Sequence, residues 1–230
     1  MKESVRSNYL GTKFLLDNLK KDKQLILKTS NVLKSYSVQF LSKDVLYKAY
    51  YDTPDFYLQS KGIVININSF KGKNIAELVV RYESDKKRIE FLSNIPDTFA
   101  KDIPAKSSFK SHTEFIKDAI QNLMPYGIEV DVEKLIKQCI PVFEIEKKRE
   151  SYRAININGL KCTLSFTSAI YTNKQAKKSN YKVELFEVDS ETINKATDYE
   201  LFTKILVFEF PKLVETDHSD FLIAKNNLIK

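Results

Sequence analysis

Glycine and histidine are scarce in this chain, and their scarcity argues against several common kinds of active site. The 230 residues include five glycines, and none of them forms the glycine-rich loop of a P-loop or of a dinucleotide-binding fold. The two histidines, His112 and His218, do not belong to any recognisable arrangement with a serine or cysteine nucleophile. A hydrolytic triad is therefore not expected.

Cysteine is scarce as well. Cys139 and Cys162 lie in different predicted elements and lack the spacing of metal ligands. Neither a disulfide scaffold nor a zinc site is therefore expected. We expect both thiols to be buried and chemically inert.

Long apolar runs are missing. No stretch reaches the roughly 18 apolar residues that a membrane helix needs, and the first residues, MKESVRSNYLGTKF, contain no apolar signal segment. These features predict a cytoplasmic protein with no membrane partner.

The chain is 43% hydrophobic, enough for a core, and its formal net charge is +7. This excess of lysine and arginine is spread along the chain and favours anionic ligands, phosphates included.

Alternating and β-branched stretches predict consecutive strands. Residues 38–52 are rich in valine and tyrosine and end at the turn sequence DTPD. In residues 62–68, Ile63, Ile65 and Ile67 alternate with a partly polar face, the pattern of a half-buried strand. Further strands are predicted at residues 75–82, 87–93, 143–157, 161–167 and 181–188.

Helical spacing appears in the middle and at the end of the chain. Two helices are predicted at residues 115–123 and 132–139, and residues 190–230 predict one longer helix and a short one that begins near Ser219. Residues 9–28 fit either a strand or a helix. Because strands follow one another, the predicted fold class is α+β with an antiparallel sheet. We expect one domain over residues 1–230, with a helical insertion at 97–141 and a C-terminal helical segment at 190–230.

Charged residues share strand faces in several of these segments. Lys147, Arg149 and Arg153 fall on one face of the strand at 143–157. By the same alternation, a basic and an acidic residue share one face in three other predicted strands: Arg81 with Glu77, Arg88 with Glu90, and Lys182 with Glu184. If these faces turn inward, they line a basic tunnel suited to a polyanion. A solvated outer face is the alternative, and periodicity does not choose between the two.

Four phrases, in this order, resemble the CYTH family of triphosphate tunnel enzymes: YYDTPDFYL with its following glycine and strand, KRIEF, KKRESY and YKVELFEV. The resemblance covers residues 47–188. It implies an eight-stranded antiparallel tunnel-like β-barrel flanked by helices. In that family, basic residues hold a triphosphate and acidic residues hold a divalent metal.

The resemblance also implies roles for particular residues. The matched family positions and the basic strand faces together give seven candidate phosphate-binding residues: Lys13, Arg81, Arg88, Lys147, Arg149, Arg153 and Lys182. The matched carboxylates are Glu90 and Glu184, which would hold Mg²⁺ or Mn²⁺. No catalytic residue is assigned.

Several family positions are altered. The N-terminal acidic signature falls on Tyr9 and Gly11, and paired arginines are replaced by asparagines. The metal-binding aspartate becomes Ser165 or Thr167, and the second carboxylate of the closing pair becomes Phe186. The altered positions indicate a degenerate active site, in which anion binding is better preserved than catalysis. A strand register shifted by one residue would instead supply carboxylates from Glu3, Asp44, Asp52, Glu187 or Asp189.

Three functional hypotheses follow. The first is a tunnel protein that binds a triphosphate, polyphosphate or other organic phosphate, with weak or no hydrolysis. The second is an active metal-dependent triphosphatase or related phosphotransferase, with Glu90 and Glu184 as metal ligands. The third is a module that binds nucleic acid or an acidic partner through exposed lysines, for which no aromatic RNA-binding motif is present. The expected partner is a phosphorylated small molecule or polyphosphate rather than nucleic acid, and the oligomeric state is not predicted.

Overall fold

One antiparallel sheet organises the chain. The computed structural model describes residues 2–3, 10–72, 75–84, 87–96, 117, 120–121, 123–124, 127–174, 180–216 and 219–229. Within these ranges the sheet has ten strands. They are β1 (Lys2–Glu3), β2 (Gly11–Leu15), β3 (Tyr36–Asp52), β4 (Ile63–Phe70), β5 (Ile75–Ser84), β6 (Lys87–Pro96), β7 (Ile140–Asn156), β8 (Lys161–Asn173), β9 (Asn180–Ser190) and β10 (Val214–Glu215).

The strand order across the sheet is β1-β6-β5-β4-β3-β7-β8-β9-β2-β10. Eight strands, β2 to β9, have five residues or more, as the resemblance implied. The prediction of a barrel needs one correction, because in the described residues hydrogen bonds do not close the sheet. The two-residue strands β1 and β10 form its edges, each paired with one neighbour.

Side-chain alternation follows the sequence pattern in β4. Ile63, Ile65 and Ile67 are buried in a core cluster on one side of the sheet. Asn66 and Asn68 point to the other side and line a central cavity. The half-polar strand that the alternation predicts is therefore confirmed, and its polar face is the inner one.

Five helices accompany the sheet in the described residues: α1 (Leu19–Thr29), α2 (Tyr57–Ser60), α3 (Val132–Gln138), α4 (Ala196–Glu209) and α5 (Asp220–Leu228). The sequence left residues 9–28 open between a strand and a helix, and the structure has both there: β2 followed by α1. The helix predicted at 115–123 lies largely outside the described residues. Within the described part of the chain, no helix has the length and apolar character needed to span a membrane.

Helices α1 and α4 cover the outer face of one half of the sheet. Ile26 of α1 and Phe202 of α4 pack in one cluster with Phe14, Phe166 and Phe186 from the strands. The rings of Phe166 and Phe186 are stacked with their centroids 4.8 Å apart. This layer fixes the outward direction of alternate residues in β2, β8 and β9.

Helix α5 lies on the opposite, inner side of the sheet. It begins after Ser219, whose hydroxyl accepts a hydrogen bond from the Leu222 amide at 3.3 Å, so the predicted N-cap is confirmed. Its residue Phe221 packs against Tyr50 and Phe143, two inward residues of β3 and β7. The helix therefore plugs part of the space that the curved sheet encloses.

Candidate anion-binding cavity

A cavity of about 610 Å³ lies on the inner side of the sheet. Its walls come from β2 to β7 and β9, and the segment from β10 to the first turn of α5 adds Glu215, Thr216, Ser219 and Asp220. The five cationic lining residues are Lys13, Lys48, Arg81, Lys147 and Arg149. The six acidic ones are Glu77, Glu90, Glu187, Asp189, Glu215 and Asp220. Among described lining residues, acids thus outnumber cations by one, so the cavity is less basic than the sequence predicts.

Asp220, at the start of α5, is the centre of a lysine cluster. Its carboxylate lies 2.8 Å from the Lys147 ammonium, 3.0 Å from that of Lys48 and 3.8 Å from that of Lys13. The Tyr171 hydroxyl donates a hydrogen bond to it at 3.2 Å. Three lysines from three strands therefore converge on one buried carboxylate, and we refer to these four charged residues as the lysine cluster.

The charge state of Asp220 follows from this surrounding. Its side chain is only 6% exposed, and burial alone would raise its pKa. The charges of Lys147, Lys48 and Lys13 outweigh the burial and hold the pKa of Asp220 well below its usual range. Asp220 is therefore ionised in the folded protein at neutral pH.

Arg81 lies on β5 and pairs across the sheet with Glu90 of β6. Its Nε donates to Glu90 Oε2 at 2.8 Å, and its Nη2 lies 2.7 Å from the same oxygen. Next to this pair, Asn68 donates to Glu77 at 3.1 Å and accepts from Asn66 at 2.8 Å. The two asparagines thus form a neutral amide chain on the wall, at the positions where the CYTH resemblance led us to expect paired arginines.

Arg149 on β7 is held more loosely. Its Nη2 lies 3.9 Å from an Asp44 oxygen. Its Nε is buried and has no hydrogen-bond partner among the described residues, and the same is true of the hydroxyl of Thr167. Thr167 is the cross-strand neighbour of Arg149 on β8. Buried polar atoms normally have partners, so this wall offers unused hydrogen-bonding capacity.

The structure brings together five of the nine sequence-predicted site residues. Lys13, Arg81, Lys147, Arg149 and Glu90 all line the cavity. Arg88 lies on β6, and its side chain falls outside the described part of the structure. Four of the seven predicted phosphate-binding residues therefore line the same cavity.

Three predicted residues do not line the cavity. Lys182 and Glu184 of β9 pair with each other at 2.7 Å, and Glu184 also accepts a hydrogen bond from the Leu19 amide at the start of α1. The predicted inward face of β9 is therefore wrong, because Phe186 on the same face packs under the outer helices. Arg153 lies further along β7 and pairs with Glu191 at 3.1 Å, beyond the cavity wall.

The sequence reasoning missed Lys48 and Asp220. Lys48 lies opposite Asn68 in the β3–β4 hairpin, so the recognised asparagine face could have identified it. Asp220 follows a predicted N-cap, but the sequence does not indicate that the helix enters the sheet. Glu187 and Asp189, named only for a shifted register, are the β9 carboxylates that line the cavity.

The residues present do not form the predicted metal site. Glu90 is bound to Arg81, and Glu184 lies on the other side of the sheet. Among the residues that the structure describes, no group of three or more histidine, cysteine, aspartate or glutamate side chains could hold a metal ion. The expected Mg²⁺ or Mn²⁺ therefore does not fit the described carboxylates.

Both cysteines are free and buried, as predicted. Burial raises the pKa of Cys139 and of Cys162 to about 12, so neither thiol forms appreciable thiolate at neutral pH. Neither lines the cavity.

Solved structures resemble this chain over most of its length. A candidate adenylate cyclase from Bacillus halodurans has a TM-score of 0.54 and 13% sequence identity, over 93% of this chain and 95% of that one. HpAC1 from Hippeastrum, described as a candidate adenylyl cyclase with a dominant triphosphatase activity, has a TM-score of 0.58 and 13% identity, over 95% of both chains.

No family model and no curated protein sequence matches this chain. At 13% identity the structural likeness shows a shared fold. It confirms the predicted α+β class, an antiparallel sheet flanked by helices that encloses a tunnel-like space.

Proposed function

We propose that the cavity binds a phosphorylated small molecule or polyphosphate and hydrolyses it weakly or not at all. The observation that carries this proposal is the convergence of Lys13, Lys48, Arg81, Lys147 and Arg149 from four strands on one cavity. Charge-assisted hydrogen bonds from such groups to phosphate oxygens are short and strong. The triphosphatase activity described for HpAC1, which has the same fold, supports a phosphate ligand.

Arg149 is the best-placed cation for a ligand. Its pairing with Asp44 is long, at 3.9 Å, and its side chain is 35% exposed. A phosphate oxygen can therefore gain a guanidinium donor without breaking a short ion pair. Arg81, by contrast, must be shared with Glu90 or released from it.

Weak or absent hydrolysis follows from the acidic residues. Two-metal hydrolysis of phosphates needs carboxylates that hold the ions and orient a water. Here Glu90 is engaged by Arg81, and Ser165 and Thr167 stand near where a metal-binding aspartate was expected. We therefore infer a degenerate active site within a single domain.

The test is calorimetric titration of the wild-type protein and the double variant Arg81→Ala/Arg149→Ala with inorganic phosphate, tripolyphosphate and ATP, with and without Mg²⁺. We expect metal-independent binding by the wild type. Removing two charged donors should weaken it by roughly a hundredfold, since each charged hydrogen bond contributes about 1.5 kcal/mol or more.

Two variants outside the cavity serve as controls. Arg153→Ala removes an arginine from the same strand as Arg149, and Glu184→Gln removes the predicted metal ligand on β9. Both should leave the affinities unchanged. The proposal is wrong if no phosphorylated ligand binds, if Arg153→Ala weakens binding as much as the double variant, or if Mg²⁺ or Mn²⁺ produces rapid phosphate release that Glu184→Gln abolishes.

A further inference from the structure

The charge of the cavity is unevenly distributed. The lysine cluster contains three ammonium groups and one carboxylate, and Glu187 lies 3.3 Å from the Lys13 ammonium, so these five groups carry a local excess of one positive charge. The remaining charged lining residues are two arginines, Arg81 and Arg149, and four carboxylates. Among the described residues, therefore, the surroundings of the cluster carry net negative charge.

A ligand meets these two regions differently. A single phosphate group carries about 1.5 to 2 negative charges near neutral pH and is small enough to contact the positive lysine cluster alone. A triphosphate carries more charge and is longer, so its other phosphate groups extend to the rest of the wall, where four carboxylates outnumber Arg81 and Arg149. Like charges at short range in a partly desolvated site repel strongly.

The lysine cluster is accessible to such a group. Lys13 and Lys48 keep about a fifth of their side-chain surface exposed, at 20% and 21%, and both line the cavity with Lys147. Each ammonium has three N–H donors, and Asp220 accepts from one of them at most. Lys13 also lies 3.3 Å from Glu187, and the donors left over can bind phosphate oxygens without displacing Asp220.

We propose that Asp220 is a specificity-determining residue, which makes the cavity select a single phosphate group, as in inorganic phosphate or a phosphate monoester, over a triphosphate. Its carboxylate is an anion tethered to α5 that permanently neutralises one of the three lysines. This inference rests on the proposed function, since it names the ligand class of the same cavity. The cavity volume of about 610 Å³ leaves room for the organic part of a monoester.

The test compares inorganic phosphate with tripolyphosphate in calorimetric titrations at constant ionic strength with a chelator present. Wild-type protein should bind inorganic phosphate at least as tightly as tripolyphosphate. In Asp220→Asn the cluster gains one positive charge, and tripolyphosphate affinity should rise about tenfold or more, and by a larger factor than phosphate affinity. Asp198→Asn makes the same chemical change on α4, outside the cavity, and should alter neither affinity.

A second variant, which changes the charge of the cluster in the opposite direction, keeps the test decisive if Asp220→Asn does not fold. Lys48→Met retains Asp220 and lowers the charge of the cluster, so tripolyphosphate affinity should fall by a larger factor than phosphate affinity. A third ligand, glycerol phosphate, separates the two sources of the phosphate group. Tighter binding than inorganic phosphate assigns the site to a monoester, and weaker binding assigns it to free phosphate.

The results that overturn the inference are distinct from those that overturn the proposed function. If the wild type prefers tripolyphosphate, or if Asp220→Asn shifts both ligands by equal factors or not at all, Asp220 does not set specificity while phosphate binding stands. If none of the ligands binds wild-type protein, the phosphate-binding proposal itself fails, and this inference fails with it.

Discussion

Asp52→Ala should lower the free energy of unfolding by about 3 kcal/mol, because three backbone amides lose their acceptor at once. The Asp52 side chain is 1% exposed. Its carboxylate accepts hydrogen bonds from the amides of Thr53, Leu58 and Gln59 at 2.7, 2.8 and 3.0 Å. The measurement is urea denaturation followed by circular dichroism, with unchanged denaturant dependence as evidence of two-state behaviour.

Asp55→Ala is the matched control, because Asp55 belongs to the same DTPD turn. Its side chain is 61% exposed and pairs with Lys134 at 2.7 Å on the surface. The loss of stability should be clearly smaller than for Asp52→Ala, since water replaces a surface partner. Equal losses for the two variants would show that the buried carboxylate does not organise the turn.

The DTPD phrase therefore has a structural explanation. Asp52 closes the connection from β3 into α2 and lies outside the cavity lining. The sequence phrase that most resembles the CYTH family thus maintains the β3–β4 connection, which positions Lys48 opposite Asn68.

Phe221→Ala should lower the free energy of unfolding by about 3–5 kcal/mol, as large-to-small changes in packed aromatic cores do. The ring lies 5.6 Å from Tyr50, 5.4 Å from Phe143 and 6.1 Å from Phe56, measured between centroids. Because Asp220 immediately precedes Phe221, loosening α5 should also release the lysine cluster. Thermal unfolding and phosphate titration of the same variant measure both effects.

The control for this variant is Phe208→Ala on α4, since that side chain is 85% exposed. It should change the free energy of unfolding by no more than about 0.5 kcal/mol. A small effect of Phe221→Ala, comparable to this control, would mean that α5 does not contribute to the core and that its position in the cavity is not fixed by packing.

The sequence separated the two faces of a strand correctly where one face is plainly apolar, but it left open which face lines a cavity. In β4 the three isoleucines predict one buried face, and the structure places Asn66 and Asn68 opposite them on the cavity wall. The face of β5 was also identified, with Arg81 and Glu77 both lining the cavity. The hydrophobic core lies on only one side of these strands, so the alternation of apolar and polar residues shows which side chains are buried in it.

The same reasoning fails in β9 for a physical reason. One face carries Lys182, Glu184, Phe186 and Val188, and the other Val183, Leu185, Glu187 and Asp189. Each face has two charged and two apolar residues, so period-two alternation does not distinguish them. The choice is made by tertiary packing: Phe186 and Val188 lie in the cluster under α1 and α4, and Val183 and Leu185 in the cluster with α5.

The path of the sheet has a consequence for how the protein is made. Strand β2 near the N-terminus pairs only with β9 and β10, from the far end of the chain, and α5 comes later still. During synthesis β2 must therefore wait for most of the polypeptide before its hydrogen-bond partners exist. Contacts so distant in sequence form slowly, and we expect nascent chains to expose the apolar residues that Phe221 covers, among them Tyr50 and Phe143, until α5 has been synthesised.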